Sequence, residues 1–478
     1  MELIVRKVLT ALHDAGFEAY IVGGAVRDML MGRTPHDYDV TTSARPEEIR
    51  TVAALQGWHT AQIQSERFGV VVIVVDGMAI ETTTFRGEAY GSDSHRPEKV
   101  WYAQTLREDV LRRDFTVNAL AMDQDGHIYD YAGGQKDLRK KRLVTVGDPA
   151  LRFNEDALRL FRACRFAGQL DFQPVKELLR AMPKAFPRVE GLSLERVVRE
   201  IDTLMVTPAA YKGLDILVRS GLAECSCRQK QNGQYTAVPI LPECSHLPDT
   251  PQSRPFHLFD AWFHTLASVA HTPADLTIRY AVFFHDIAKG MPGIRGIHDG
   301  RYTDYGHDEK GAELSRAILL RWRKSPAFAA RVAWLVKTHM KFHYFANTGE
   351  GDVTKWLRRE ALEGPFRRTE ELVEAMEQAT EVARGDILGC GHEQADTTGT
   401  DSFGEYMKLA AGQMPVSTKD LHYDRRIPEQ CGRQTGACLA VLLKRVQSKE
   451  LQNDADILAK AASKWLKRHN GDEPDDRR

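Results

Sequence analysis

The sequence predicts an α+β protein in which a small α/β head is followed by a long, all-helical body. Three observations carry that expectation. Runs rich in β-branched residues, one pair of them separated by Asp76-Gly77, fall within the first 130 or so residues. From Pro149 to about Leu222, and again from near Phe256 almost to the end, apolar residues recur with helical spacing. Between these stretches, residues 225–255 are rich in Pro, Cys, Ser and Gln and read as an irregular linker.

Taken in order, MELIVRKVLTALHDAG reads as an amphipathic helix and not as a signal peptide. Ala19–Val22 reads as a strand ending in Gly23-Gly24, Val26–Leu30 as a short helix stopped at Gly32, and Tyr38–Thr42 as a second strand. Phe68–Val75 and Met78–Phe85 are the arms of a hairpin, because Asp-Gly suits a turn with φ > 0 at both central residues. Residues 87–101 are a polar, Gly-containing stretch. The last residues, HNGDEPDDRR, have the composition of a disordered tail. No solenoid-type repeat is present.

The composition, 42% hydrophobic and 27% charged over 478 residues, is that of a soluble globular protein of roughly two to four domains. No apolar run approaches a membrane span. Seven scattered cysteines argue against a disulfide framework and for a reducing, cytoplasmic setting. Cys225-Ser-Cys227 and Cys244-Ser-His246 offer zinc ligands, although CxC spacing is less usual than CxxC. The net charge of -1 gives no global positive field. The run Lys136, Arg139, Lys140, Lys141 and Arg142 is either a local RNA-facing patch or a solvated helix end.

Chemistry concentrates first at Asp37-Tyr38-Asp39. Residues two apart on a strand share a face, so the two carboxylates lie close together and a divalent cation relieves their repulsion. Gly23-Gly24 before a helix lets backbone N–H groups approach a triphosphate, with Arg27 following on that helix. Glu81 completes a three-carboxylate cluster if its hairpin arm pairs beside the Asp37 strand; otherwise it is a strand-surface residue. Such a cluster suits two Mg²⁺ ions, one activating an attacking hydroxyl and one holding a triphosphate with its leaving pyrophosphate.

GGAVRDMLMGRTPHDYDV resembles the head motif of the class II tRNA nucleotidyltransferase (CCA-adding enzyme) and bacterial poly(A) polymerase family. The resemblance continues in RRDFTVNALAMD (112–123), DYAGGQKDL (130–138), RFNEDALRLFRACRFA (152–167) and LSLERVVREIDTLM (192–205), in the family's order. It implies a nucleotidyltransferase head that extends a tRNA 3′ end from CTP and ATP without a nucleic-acid template. It also implies that Arg112, Arg113, Asp114 and Asn118 line the nucleotide pocket, with Asp114 favouring ribose. Residues 87–101 occupy the position of the family's mobile loop, which helps switch from CTP to ATP. Bacterial poly(A) polymerases share every head motif and are the nearest alternative.

In the neck, Asn154 is a candidate N-cap, with Glu155 and Asp156 in the first helical turn. Asp156 and Arg159, three apart, either form an ordinary ion pair or read a base. Asp156 accepts and Arg159 donates, which matches the amine and ring nitrogen of cytosine or adenine and mismatches uracil or guanine. Arg162 supports the pocket or a phosphate, or is simply solvated.

In the body, FHTL, HDIAKG, GHDEKGAEL, KTHM and ARGDILG resemble the HD metal-dependent phosphohydrolase pattern over residues 256–390. The resemblance implies that His264, His285, Asp286, His307, His339 and Asp386 hold a metal. Imidazole with carboxylate suits Mn²⁺, Fe²⁺, Ni²⁺, Co²⁺ or Zn²⁺ better than Mg²⁺. Relatives with this domain have 2′,3′-cyclic phosphodiesterase or phosphatase activity; the alternative is an HD fold kept only for structure or tRNA binding. A further alternative is a metal phosphohydrolase whose head merely binds RNA. Residues 290–304, like 225–255, have no role in the resemblance, and the C-terminal segment lacks the family's Gly-Pro. The expected division is head 1–148, neck 149–224, linker 225–255, HD domain 256–400, C-terminal helical segment 401–468 and tail 469–478.

Overall fold

The computed structural model describes residues 2–61, 69–91, 97–349 and 351–469. The chain forms two compact units, Met1–Ser245 and His246–Arg478.

In the first unit nine strands precede the neck: β1 (Ala19–Val22), β2 (Asp39–Thr42), β3 (His59–Ala61), β4 (Val70–Val75), β5 (Met78–Thr84), β6 (Arg86–Tyr90), β7 (Pro97–Tyr102), β8 (Leu120–Met122) and β9 (Ile128–Asp130). Seven of them form one sheet in the order β3-β4-β5-β2-β1-β8-β9. The β2/β5 pair is parallel, whereas β1/β2, β4/β5 and β1/β8 are antiparallel. Helices α1 (Leu3–Asp14), α2 (Gly24–Leu30) and α3 (Pro46–Leu55) pack on this sheet, and Val8, Leu12, Ile21, Val40, Ile49 and Ile73 are fully buried between them. The β4/β5 turn has φ of 49° at Asp76 and 83° at Gly77, as the sequence predicts. The predicted strand start at Phe68 lies outside the described residues.

The described residues of 87–101, at the position of the family's mobile loop, form much of the β6/β7 hairpin. The tip, residues 92–96, lies outside the described residues.

Helices α4 (Leu106–Leu111) and α5 (Gly134–Arg139) complete the head, and the neck is helical as predicted: α6 (Pro149–Glu155), α7 (Leu158–Leu170), α8 (Lys176–Ala181), α9 (Leu194–Met205) and α10 (Ala210–Arg219). The two-residue strand β11 (Gln173–Pro174) falls within it and pairs with β10 (Arg142–Leu143) at the end of the head. The capping expectation is wrong. Asp148 caps α6 by accepting the Leu151 N–H, with Pro149 at the first helical position, and Asn154 and Glu155 lie in the last turn. Asp156 is extended, at the break between α6 and α7.

The predicted linker also needs correction. Strands β12 (Ser226–Gln231) and β13 (Gln234–Pro239) pair through Asn232-Gly233, whose φ values are 49° and 86°. Asn-Gly is the same hairpin signal as Asp-Gly, here masked by polar composition. Residues 290–304 contain a second such hairpin, β14 (Arg295–His298) and β15 (Arg301–Asp304), turning at Asp299-Gly300.

The second unit is otherwise helical: α11 (Ala261–Ala270), α12 (Leu276–Phe284), α13 (His307–Arg321), α14 (Pro326–Thr348), α15 (Val353–Glu363), α16 (Thr369–Gly389), α17 (Thr398–Gly412), α18 (Arg426–Cys431), α19 (Thr435–Gln447) and α20 (Ala455–His469). The boundary expected at residue 400 cuts through α17, which packs on α14 and α16. A separate core around Ile427, Cys438, Leu442 and Leu458 belongs to α18–α20. His469 ends α20 and is not part of a tail; residues 470–478 lie outside the described residues.

Candidate active sites

The head holds a cavity of about 850 Å³ whose walls come from the ends of β1 and β2, the β6/β7 hairpin, the turn after α4, and α7. Gly23 ends β1 with φ 75°, and a Cβ there would stand 3.0 Å from Arg113 Nη1, so the turn needs glycine. Gly24 then opens α2, and Arg27 on its first turn is buried. The Arg27 guanidinium donates to Asn118 Oδ1 at 2.7 Å and to both Asp28 oxygens at 2.9 and 3.0 Å. Sequence-distant residues are thereby locked at one rim.

Asp37 and Asp39 both line this cavity, although only Asp39 belongs to β2. Asp39 pairs with Val22 on one side and with Glu81 on the other. Directly opposed residues share a face, so the register brings the third carboxylate beside the second. Glu81 is not among the cavity-lining residues. Desolvation raises the Asp39 pKa; Arg113 opposes this and Asp37 reinforces it. Glu81 is raised likewise by desolvation, then by Asp39 and Asp37. Mutual repulsion of this kind is what a divalent cation relieves, so the donor set fits a hard, oxygen-seeking ion.

The opposite wall is built by arginines on buried carboxylates. Arg112 donates to Asp109 Oδ1 at 2.8 Å and to Glu88 Oε1 at 2.8 Å. Fully buried Asp109 also accepts from Thr41 Oγ1 at 3.1 Å and the Arg86 N–H at 3.2 Å, tying α4 to β2 and β6. Burial alone would raise the Asp109 pKa; Arg112 and Arg113 outweigh it and lower it. Asp109, Glu88 and Arg86 were missed from the sequence. The legible signal was Asp109, one helical turn before Arg112.

Asp114 accepts from Arg162 at 2.8 and 2.5 Å and from Asn118 at 3.2 Å. Burial would raise its pKa, yet Arg162, with Arg159 and Asn118, takes it down to about 2. Arg162 is therefore a paired pocket residue and not a solvated one. Asp156 and Arg159 line the same cavity. Desolvation raises Asp156 to about 6, with Arg159 and the Leu158 N–H as the opposing influences. Arg159 is held by Glu155 Oε2 at 2.7 Å and by the carbonyls of Arg152 and Arg112, both at 3.1 Å. Twelve of the thirteen candidate head and neck site residues, all but Glu81, reach this one cavity.

In the second unit, helices α11, α13, α14 and α16 and the turn after α12 converge on a buried histidine–aspartate cluster. Ligand atoms of His264, His285 and Asp386 lie within 4.8 Å of one another, as do those of Asp286, His307 and His339. His264 Nε2 is 3.0 Å from both His285 Nε2 and Asp386 Oδ1. Asp286 lies between the two sets, 3.3 Å from His285 Nε2 and 3.4 Å from His307 Nε2. Neither Asp286 oxygen has a hydrogen-bond partner among the described residues, although Lys289 Nζ forms an ion pair with it at 2.6 Å. A buried carboxylate facing imidazole nitrogens on both sides fits a transition-metal site. His285 would be lowered by burial, but Asp286 and Asp386 raise it to about 10. The sequence reading missed His343, whose Nε2 lies 2.9 Å from Asp386 Oδ2, and His257 and Cys390 on the same cavity. His343 follows His339 by one helical turn, a spacing that could have revealed it.

The cysteine sets do not assemble: Cys225, Cys227 and Cys244 form no ligand cluster with His246 among the described residues. His246 instead contacts the Lys289 carbonyl at 2.9 Å. Of the basic run, Arg142 pairs with Asp137 at 2.6 Å, while Lys136, Arg139, Lys140 and Lys141 are exposed. No helix among the described residues is long and apolar enough to cross a membrane.

The glycine turn, strand-borne carboxylates and arginine wall meet in one cavity of the head. Residues 19–144 match the profile described as "Poly A polymerase head domain", and residues 171–225 match "Probable RNA and SrmB- binding site of polymerase A". A CCA-adding enzyme of Bacillus pumilus is 39% identical over 264 residues, 55% of this chain and 62% of that protein. One of Lactococcus lactis is 44% identical over 218 residues, 45% of this chain and 54% of the relative. The chain thus spans 62% or less of the length of these relatives. The crystal structure of the Bacillus stearothermophilus CCA-adding enzyme in complex with CTP shares the fold, with a TM-score of 0.65 at 22% identity over 99% of this chain and all of that one. Through its head and neck the chain is similar to CCA-adding enzymes and to the poly(A) polymerase models.

Proposed function

We propose that the head adds CCA to the tRNA 3′ end from CTP and ATP, and that the second unit carries a metal-dependent HD phosphohydrolase site. The observation that carries the first reading is the placement of Asp156 and Arg159 on the wall of the cavity that also holds Asp37 and Asp39. Asp37 and Asp39, with Glu81 beside them, would hold Mg²⁺, which when bound lowers the pKa of the RNA 3′-hydroxyl and neutralises pyrophosphate. The chain's own residues do the rest. Arg27, Arg112 and Arg113 present guanidinium groups to the triphosphate. Asp114, kept ionised by Arg162, accepts from a ribose hydroxyl. Asp156 accepts the exocyclic amine of cytosine or adenine and Arg159 donates to the adjacent ring nitrogen. GTP and UTP leave both groups mismatched, at a cost typical of buried polar groups without partners.

The pairing serves either base, and what favours CCA addition over poly(A) synthesis is the resemblance of the head and neck to CCA-adding enzymes. Supplying tRNA that ends before CCA with CTP and ATP, singly and together, separates the two. CCA addition gives two C residues with CTP alone and one further A with both. Long A tracts that ignore CTP would overturn the assignment.

In the second unit, His264, His285, Asp286, His307, His339 and Asp386 would hold Mn²⁺, Fe²⁺, Ni²⁺, Co²⁺ or Zn²⁺, which when bound supplies an activated water for phosphoester hydrolysis. The placement of the buried Asp286 carboxylate between the Nε2 atoms of His285 and His307 supports the reading. Hydrolysis of 2′,3′-cyclic nucleotides that is lost on chelation and restored by one of these ions is the expected result.

A further inference from the structure

Three histidines of the second-unit cluster share one arrangement. Nδ1 of His285, His307 and His339 lies 2.6, 2.7 and 2.6 Å from the carbonyl three residues earlier, Val282, Asp304 and Val336. Each contact fixes the tautomer and turns Nε2 towards Asp286. His264 breaks the pattern. Its Nε2 faces Asp386, but its Nδ1 is buried and has no hydrogen-bond partner among the described residues. The His264 side chain is 0% exposed, so water does not satisfy that nitrogen from bulk.

Beside His264 stand two residues that the phosphohydrolase reading does not use. The His257 ring packs against it with centroids 4.6 Å apart, a spacing like the 5.1 and 5.2 Å of the His264–His285 and His307–His339 pairs. Cys390 Sγ lies 3.4 Å from His257 Nδ1, about the separation of N and S ligands on one tetrahedral ion. Ligand atoms of His257, His264 and Cys390 all lie within 4.8 Å of one another. His257 and Cys390 also line the cavity over the cluster, which leaves a fourth position open to solvent or substrate.

We propose that His257, Cys390 and Nδ1 of His264 form a second metal site, sulfur-containing and selective for a soft or borderline divalent cation such as Zn²⁺ or Co²⁺. Binding transfers the Cys390 thiol proton to solvent and gives the orphaned imidazole nitrogen a partner. Where His264 Nε2 also holds an ion, the ring bridges two cations and releases its N–H proton as well. A thiolate ligand sets this site apart from the histidine–carboxylate set next to it, which contains no sulfur.

The test is Co²⁺ titration of the full-length, chelator-stripped protein, following near-ultraviolet thiolate-to-cobalt charge transfer and visible d–d bands together with bound cobalt per chain. The wild type is expected to show the charge-transfer band. Cys390→Ser should lose it and bind one ion fewer, and His257→Gln should shift or lose it. His285→Ala with Asp286→Ala should keep the band while losing cobalt from the neighbouring set. Circular dichroism melting qualifies each variant as folded, and Cys390→Ser changes one atom. Absence of the band in wild type, or its persistence in Cys390→Ser, overturns the proposal. A band without cyclic-nucleotide hydrolysis would leave this site standing and sink the phosphohydrolase reading alone.

Discussion

The two candidate centres solve opposite electrostatic problems. The head cavity gathers carboxylates that repel one another and faces them with arginines already held by buried acids such as Asp109 and Asp114. The charge there is left for a ligand to complete. In the second unit Asp286 and Asp386, both pushed up by burial, are brought well below the usual carboxylate range mainly by His285, so that cluster is internally compensated. A centre built to accept a polyanion with its cation keeps its charges uncompensated, whereas one built to hold an ion balances them among its own ligands.

The sharpest break in the comparison is removal of a head carboxylate. Asp37→Ala or Asp39→Ala is expected to cut nucleotide addition by far more than about tenfold while leaving the fold and tRNA binding intact, because repulsive charges contribute no stability. Single-turnover incorporation measures this, and activity within tenfold of wild type would disprove the metal assignment. The same variants should keep any hydrolase activity.

The reverse variant, His285→Ala with Asp286→Ala, should abolish cyclic-nucleotide hydrolysis and spare CCA addition. Here stability is expected to suffer, since a compensated buried cluster loses its partners. Melting curves with and without chelator separate ion loss from unfolding. Loss of CCA addition in a folded variant that still binds tRNA would show that the centres are coupled.

A smaller effect is expected from Arg159→Ala, which removes a donor to the base. A hydrogen bond to a charged group contributes about 1.5–3 kcal/mol, so CTP-over-UTP selectivity should fall roughly tenfold to a hundredfold. An unchanged ratio would place base reading elsewhere.

The smallest effect is in pH. The Asp156 pKa is raised to about 6, so the residue is ionised above that pH and gains a proton below it. The protonated carboxyl donates where the amine of cytosine requires an acceptor, and it suits the carbonyl of uracil. Selectivity for CTP over UTP should therefore shrink as pH falls through about 6, with about a tenth of the carboxylate remaining one unit lower. Taking the ratio cancels effects common to both nucleotides, and Asp156→Asn should flatten the profile.

Legibility followed how local each signal was. The Asp76-Gly77 hairpin and the spacing of Asp37 and Asp39 were readable because turn chemistry and alternation act over a few residues. The Asn232-Gly233 hairpin carried the same signal but was outvoted by composition. Asp156 was placed in a first helical turn because Asn154 and Glu155 mimic a cap, while Asp148-Pro149 had already started that helix. Glu88 was invisible, since its importance arises from contact with Arg112, 24 positions away, whereas Asp109 lies one helical turn before Arg112 and could have been read. His343 was hidden among the ordinary polar positions of α14.

The bond between Arg162 on α7 and Asp114 after α4 has a bearing on how this chain can be engineered. Together with the Arg159 contact to the Arg112 carbonyl, it makes the cavity a joint product of two segments that adjoin near residue 148. Chimaeras that exchange the neck for a relative's while keeping the head would inherit half a lock. Such grafts should work only when both halves travel together, so the natural unit of exchange is the whole stretch through the neck and not the sheet alone.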